Sequence, residues 1–320
     1  MNPVIPAILA IIVGFILLTW SADRFVGGVA TSAKNWGISP MLIGLTVVSI
    51  GTSAPEILVS LMSALQGHID IAVGNAIGSN IANIGLVLGL TALIAPLPVK
   101  TALARREISW LVFVTMIAGG CLWNSYLGLM ESLILLSGLC VTLYLMAYWQ
   151  KSHPEEPLVE AEKIKEMTSS RAYIELISGL VLLLVSAKIL VWGAEEIAVL
   201  LGVSELVIGL TIVAIGTSLP ELATSVASAI RGHHDIAIGN IVGSNIFNLL
   251  AVLSMPGLVA PGVLNESVIV RDYPVMLAFT FLLAALTLTG KKPKILGRST
   301  GIILITGYFS YAVCLYLQTT

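Results

Sequence analysis

The feature that most constrains this chain is a series of roughly ten long apolar stretches separated by short polar breaks. A bilayer core about 30 Å thick needs about 20 apolar residues per helix, and the stretches have that length. With 57% hydrophobic and only 11% charged residues, the chain carries more apolar surface than a water-soluble domain can bury. The stretches are apolar all round, which predicts helices and not the alternating strands of a barrel. The predicted spans cover residues 4–27, 41–66, 70–95, 107–124, 127–149, 172–200, 206–230, 236–260, 273–289 and 299–317.

The first stretch has no Lys or Arg before it and no small-residue cleavage site, so we expect a spanning helix there and not a signal peptide. Three cysteines, Cys121, Cys140 and Cys314, fall inside apolar spans without paired spacing. They predict neither a disulfide framework nor a metal site, and we expect them to pack as small apolar side chains. We expect the lipid bilayer to surround the protein, with no cofactor and no nucleic-acid partner.

An internal repeat appears at a single offset of 165 residues. Residues 43–56 read IGLTVVSIGTSAPE and residues 208–221 read IGLTIVAIGTSLPE, with 11 identities in 14 positions. Residues 70–83 and 235–248 match at 10 of 14 positions. Chance does not produce this agreement, so the chain consists of two related units.

Five predicted spans in each unit make the second unit enter the membrane from the opposite side, so the repeats are expected to be inverted. With the first residue outside, thirteen Lys and Arg residues fall in inner loops and only Arg271 falls in an outer loop. We therefore predict an all-α polytopic membrane protein with ten transmembrane helices in two inverted five-helix repeats. The repeats would cover residues 1–149 and 172–320, joined by a cytoplasmic linker at residues 150–171, with both termini external.

Two glutamates, Glu56 and Glu221, occupy matching positions deep inside predicted spans. An ionised group at the centre of a bilayer costs roughly 2.5 to 3.5 kcal/mol, so each carboxylate needs a compensating charge. That charge must come from a bound cation or a proton, because no Lys, Arg or His occurs in the four spans that carry the repeat: 41–66, 70–95, 206–230 and 236–260.

The residue before each glutamate is a proline, Pro55 or Pro220, which releases carbonyl groups from helical bonding. The tetrapeptides that end in the two glutamates also fit the Ser-x-x-Glu capping box, so each glutamate is expected to begin a half-helix in mid-membrane. Discontinuous helices of this kind mark substrate sites in transporters. The alternative is that each glutamate only caps its own half-helix.

Further polar side chains recur at helical spacing in the following spans, where Ser79 and Asn83 lie on one face, as do Ser244 and Asn248. Hydrogen bonding between helices without ion contact is the alternative role for them. Carboxylate, hydroxyl, amide and backbone oxygens without thiolate or imidazole favour hard cations. Several mixed oxygens on broken helices suit Ca²⁺ or Na⁺ better than Mg²⁺, which keeps a rigid water shell.

The two G-T-S-x-P-E blocks and the two G-x-x-x-G-S-N-x-x-N blocks resemble the two α-repeats of the sodium/calcium exchanger superfamily, the calcium:cation antiporters. The resemblance covers essentially the whole chain and is narrowest to short bacterial inner-membrane members. It implies alternating access around a central core, with the first and sixth helices as a long sliding pair. It also implies backbone ligands near Ser49 and Ala214 and side-chain ligands at Thr52, Ser53, Glu56, Ser79, Asn83, Thr217, Ser218, Glu221, Ser244 and Asn248.

One position departs from part of this family, because some members carry Asp where this chain has Asn248. The Asp-bearing pattern goes with potassium-dependent exchange, so we do not expect K⁺ dependence here. The resemblance implies a secondary active antiporter, not an enzyme, that exchanges Ca²⁺ for Na⁺ and can work as a monomer. A proton-coupled antiporter, in which neighbouring carboxylates share a proton, and a cation channel remain the alternatives. The histidines His68, His233 and His234 are expected to be loop residues, with pH sensing as the alternative.

Overall fold

The computed structural model describes residues 4–99, 104–152, 167–201, 214–288 and 294–319 of the chain. The predicted linker at 150–171 lies mostly outside the described residues, and so does the start of the predicted seventh span, residues 206–213. Several bases of the charge count also lie outside them, namely Lys100, Lys163, Lys165, Lys291 and Lys292.

The described residues are mostly helical. In the first half the elements are α1 (Val4–Trp36), α2 (Pro40–Ile43), the π-helical turn π1 (Gly44–Val48), α3 (Ser49–Thr52), α4 (Ala54–Leu65), α5 (Ile69–Ala82), π2 (Asn83–Leu88), α6 (Gly89–Ile94), β1 (Leu97–Val99), π3 (Ala104–Ile108), α7 (Ser109–Leu122), β2 (Tyr126–Leu127) and α8 (Leu129–Ser152).

The described residues of the second half follow the same order, and the equivalents of α2 and π1, residues 205–213, lie outside them. The elements are α9 (Ser169–Leu200), α10 (Ala214–Thr217), α11 (Leu219–Ile230), α12 (His234–Phe247), π4 (Asn248–Val252), α13 (Ser254–Val259), β3 (Gly262–Val263), π5 (Val268–Asp272), α14 (Tyr273–Leu288), β4 (Lys294–Leu296) and α15 (Arg298–Thr319).

Within the described ranges, seven helices are long and apolar enough to cross a membrane, and an eighth span forms if α2 to α4 count as one bent unit. The bend in that unit is 44°. The remaining predicted span of the first half corresponds to α7, which has 14 residues and follows π3 directly. Helix α1 runs to Trp36, nine residues beyond the predicted end at residue 27. Its residues from Phe25 to Ala33 are all buried.

Helices α1 and α9, which the 165-residue offset relates, pack against each other in antiparallel directions. A Cβ atom added at Gly14 would lie 2.9 Å from the Leu190 backbone nitrogen, and one at Gly179 would lie 2.7 Å from the Phe25 backbone nitrogen. Small residues thus let the two backbones touch, which is the usual way for helices to associate in a bilayer. The other two glycines of this contact are also repeat equivalents, Gly28 and Gly193.

Tight turns connect α4 to α5 and α11 to α12. Gly67 and Gly232 are repeat equivalents, and each has a φ of +81°, a conformation that residues with a Cβ rarely adopt. In both turns the next residue donates its backbone N–H to a carbonyl of the preceding helix at 2.8 Å. These glycines therefore end α4 and α11 and reverse the chain.

Two short antiparallel ladders join the halves. Strand β1 pairs with β4, with Leu97 opposite Leu296, and β2 pairs with β3, with Tyr126 opposite Val263. The most apolar 18-residue segment of the helix formed by α12, π4 and α13 is completely buried, so this helix lies in the middle of the molecule. The main hydrophobic core contains residues of both halves around it, so the two repeats share one core.

Candidate cation site

The two glutamates lie at equivalent breaks in the central helices. Glu56 is in the first turn of α4 and Glu221 is in the first turn of α11, each just after a break that separates the half-helix from α3 or α10. A proline in the first turn fits these helix starts, because its missing N–H has no intrahelical partner there. Both side chains are completely buried, at 0% exposure.

The predicted capping boxes are wrong, because neither Ser53 nor Ser218 makes a side-chain cap hydrogen bond to its own half-helix. Instead, the Ser53 hydroxyl donates to Glu221 Oε1 at 2.9 Å. The serine side chain is thus turned towards the glutamate of the other repeat. The break in the first repeat thereby supplies a hydrogen-bond donor to the glutamate of the second repeat.

Glu221 has further hydroxyl neighbours. Ser244 on α12 donates to the same Oε1 atom at 3.4 Å, and the side chain of Thr52 also approaches this carboxylate. Glu56 lies near enough for its charge to interact with that of Glu221, and the Thr217 side chain approaches it. The structure therefore brings Thr52, Ser53, Ser244 and both glutamates into one buried cluster.

Several buried polar atoms of the predicted site residues have no hydrogen-bond partner among the described residues. They are both carboxylate oxygens of Glu56, Oε2 of Glu221, the Ser218 hydroxyl, and the amide oxygen and nitrogen of both Asn83 and Asn248. A buried polar group without a partner is costly, and buried polar groups in proteins are almost always satisfied. Three of these atoms belong to the two carboxylates, and their lack of a partner fits the binding of a cation from solution.

The two asparagines of this set each begin a π-helical turn. Asn83 starts π2 and Asn248 starts π4, directly after α5 and α12. Turns of this type widen a helix locally and are frequent at functional sites. Ser79, one turn before Asn83, is buried on α5. Ser49 is buried too, and its carbonyl accepts the Ser53 N–H at 2.9 Å, while Ala214 begins α10.

The interpretation of the sequence missed two asparagines at the edge of this site. Asn75 donates from Nδ2 to the Glu56 carbonyl at 2.9 Å, and Asn240 donates to the Glu221 carbonyl at 3.3 Å. Both belong to the repeated block and lie one helical turn before the repeated serine. Their identity at the 165-residue offset was the signal that could have pointed to them.

A helical multi-pass membrane protein in which broken helices hold two buried carboxylates and neutral oxygens is a cation transporter by class. The family model of the sodium/calcium exchanger protein matches residues 6–148 and 172–317, and the chain belongs to this family.

Similar proteins agree with this assignment. A putative antiporter, CaxA of Alkalimonas amylolytica, is 46% identical over 314 residues, which cover 97% of this chain and 98% of that protein. The inner membrane protein YrbG of Escherichia coli is 38% identical over 96% of this chain and 95% of its own length. Among solved structures, the sodium–calcium exchanger NCX_Mj, soaked with Na⁺ and Sr²⁺, superposes with a TM-score of 0.82 at 34% identity, covering 96% of this chain and 97% of that one. The chain is thus a multi-pass membrane protein and a cation antiporter.

Proposed function

We propose that the protein is a secondary active antiporter that exchanges Ca²⁺ for Na⁺ by alternating access around Glu56 and Glu221. The proposal rests on one observation above all, the two fully buried carboxylates with three unpartnered oxygens in helices that contain no cationic side chain. Only a cation from solution or a proton can balance these charges. Carboxylate and neutral oxygens in a flexible arrangement favour Ca²⁺ and Na⁺ over softer metals.

The ligand set of the proposal contains the residues around the two breaks and on the two following helices. The hydroxyl and amide oxygens would replace water around the ion, and the two carboxylates would supply the charge. This set consists of Thr52, Ser53, Glu56, Ser79, Asn83, Thr217, Ser218, Glu221, Ser244 and Asn248.

The membrane arrangement is part of the same proposal. It has ten transmembrane helices in two inverted repeats, residues 1–149 and 172–320, with a cytoplasmic linker at 150–171 and both termini external, in the inner membrane. The antiparallel packing of α1 against α9 supports an inverted relation, because two equivalent helices of units with the same orientation would run parallel. The close glycine contacts between α1 and α9 also fit the long sliding pair of this mechanism.

Flux into proteoliposomes tests the exchange. Purified protein is reconstituted, and ⁴⁵Ca²⁺ uptake is measured with an outward Na⁺ gradient, an outward H⁺ gradient, or no gradient. We expect saturable uptake that requires internal Na⁺ and stops when the Na⁺ gradient collapses. Uptake driven only by H⁺ would replace Na⁺ by protons as the counter-ion, and uptake without any counter-ion would contradict the antiporter in favour of a channel.

Cysteine labelling tests the membrane arrangement. Single cysteines placed at Ser125 and Gly262 are expected to react with an impermeant reagent from outside, and one at Ser152 only after permeabilisation. All three variants are made in a background without the native cysteines, Cys121, Cys140 and Cys314. Labelling with the opposite sidedness would overturn the proposed orientation.

A further inference from the structure

Asn240 is a fully buried asparagine on α12, one helical turn before Ser244 and two turns before Asn248. Its Nδ2 atom donates to the Glu221 carbonyl at 3.3 Å and to the Ser225 hydroxyl at 2.9 Å. On the other side, its Oδ1 atom lies 3.1 Å from the Thr52 hydroxyl. The side chain thus joins α12 to α11 of its own repeat and to α3 of the other repeat.

The chemistry of these partners determines the orientation of the amide. A backbone carbonyl can only accept a hydrogen bond, so the Asn240 nitrogen must face the Glu221 carbonyl. The amide oxygen must then face Thr52, and an amide oxygen can only accept. The Thr52 hydroxyl is therefore the donor in this contact.

The direction of this hydrogen bond matters for ion binding. The Thr52 side chain also approaches the Glu221 carboxylate. If its hydrogen points to Asn240, its lone pairs are free to face a cation and the carboxylate oxygens stay available to that cation. If the hydrogen pointed to Glu221 instead, the hydroxyl would compete with the cation for the carboxylate.

We propose that Asn240 is a positioning residue of the cation site, which holds the Thr52 hydroxyl with its lone pairs towards the ion. The inference rests on the proposed function, because it assumes that cations bind at the two glutamates. We assign Asn240 a positioning role because both ends of its amide are engaged in hydrogen bonds, whereas every amide atom of Asn83 and Asn248 lacks a partner among the described residues. Asn75 repeats the contact to the glutamate carbonyl in the first half.

The test is the Asn240→Ala variant, assayed for ⁴⁵Ca²⁺ uptake in proteoliposomes and for Ca²⁺ binding by calorimetry in detergent. Loss of one oriented hydrogen bond is expected to raise the half-saturating Ca²⁺ concentration about three- to tenfold, with a smaller change in the maximal rate. In a Thr52→Val background, which lacks the hydroxyl, Asn240→Ala is expected to add little to that concentration. An unchanged half-saturating concentration, or an effect as large in the Thr52→Val background as in the parent, would overturn the proposal.

Asn245→Ala is the matched control, because Asn245 is a buried asparagine of the same helix whose amide donates to the Ile241 carbonyl of that helix. We expect it to bind Ca²⁺ as the parent does. A loss of affinity equal to that of Asn240→Ala would mean that Asn240 contributes only to general helix packing. Asn240→Ser, which keeps a polar group but cannot reach Thr52, is the second variant if the alanine variant does not fold, and the same increase is expected. A parent protein that binds Ca²⁺ without exchanging it would refute the antiporter while the binding comparison still decides the role of Asn240. Absence of Ca²⁺ binding in the parent would overturn both.

Discussion

Helices α5 and α12 have the same residue at 9 of their 14 repeat-equivalent positions but differ in burial. In the span formed by α5, π2 and α6, 72% of the most apolar 18-residue segment is buried. The corresponding segment of the span formed by α12, π4 and α13 is completely buried. Gly239 and Gly243 of α12 contact the backbone of α2 and π1, while their equivalents on α5, Gly74 and Gly78, are only half-buried. The turns before the two helices differ in the same sense, because His68 is exposed and His233 is buried.

Among the described residues, close packing is seen at α12, where α2 and π1 contact the helix. The repeat equivalents of α2 and π1, residues 205–213, lie outside the described residues. Sequence similarity between repeats therefore predicts the same element in each copy, but the burial of an element depends on its neighbours.

The largest effect is expected from removing either carboxylate, which tests whether the two equally buried glutamates contribute equally. Glu56→Gln and Glu221→Gln should each lower Ca²⁺ transport by on the order of a hundredfold or more, equal to about 2.8 kcal/mol. The physical reason is that a cation in a dry pocket needs the charge of both carboxylates. Initial ⁴⁵Ca²⁺ uptake rates are the measurement, and gel filtration checks the fold. Glu266→Gln, in an exposed turn, is the control that should transport normally. Near-normal uptake by both site variants would place the cation elsewhere.

The second prediction concerns the close packing of α12. A methyl group at Gly243 would lie 2.6 Å from the Leu45 carbonyl oxygen. Overpacking of this kind costs about 1–3 kcal/mol, so Gly243→Ala should clearly lower the thermal stability in detergent. Gly120→Ala, at an exposed position of α7 where no described residue lies within 4 Å of an added methyl group, is the control that should stay within about 0.5 kcal/mol of the parent. Equal melting temperatures for the two variants would contradict the close packing of α12.

Asn248→Asp adds a third acidic side chain at a fully buried position at the start of π4. Like charges in a dry pocket favour uptake of a proton or of another cation. We expect a transport rate that varies by up to about tenfold per pH unit, the slope of one coupled proton, or a new dependence on K⁺. Flux across pH, with and without K⁺, measures both. The same charge at an outer loop, Ser125→Asp, should change neither, and a site variant that behaves as the parent does would put Asn248 outside the ion site.

The smallest effect is expected at the turn before α12. Burial, together with the positive charges of Arg231 and His234, lowers the pKa of His233 below its usual 6.5. The unfolded chain therefore takes up a proton before the folded protein does, so this histidine contributes stability above about pH 6.5 that is lost as the pH falls. When the pH is lowered from about 7.5 to about 5.5, the His233→Gln variant should lose less thermal stability than the parent does. The exposed His68 is the matched control, and a His233 variant with an unaltered pH profile would contradict the prediction.

Local sequence patterns alone predicted much of the architecture and of the candidate site of this protein. Membrane-length apolar stretches, the 165-residue repeat and two glutamates without a basic neighbour predicted a helical membrane protein with a cation site. These features depend on residues close together in the chain and on the energy of apolar and charged groups in a bilayer, so they are readable without coordinates. The breaks before Glu56 and Glu221 belong to the same class, because proline acts on its own helix.

Only the tertiary structure decided which groups meet across the repeats. The Ser-x-x-Glu pattern predicted a local cap, but the Ser53 hydroxyl bonds to Glu221, 168 residues away. The contact between Asn240 and Thr52 spans 188 residues and leaves no trace in local spacing. The reason is that a short segment determines its own backbone preference and apolar face, whereas hydrogen-bond partners and packing depend on the neighbours that the whole fold brings together.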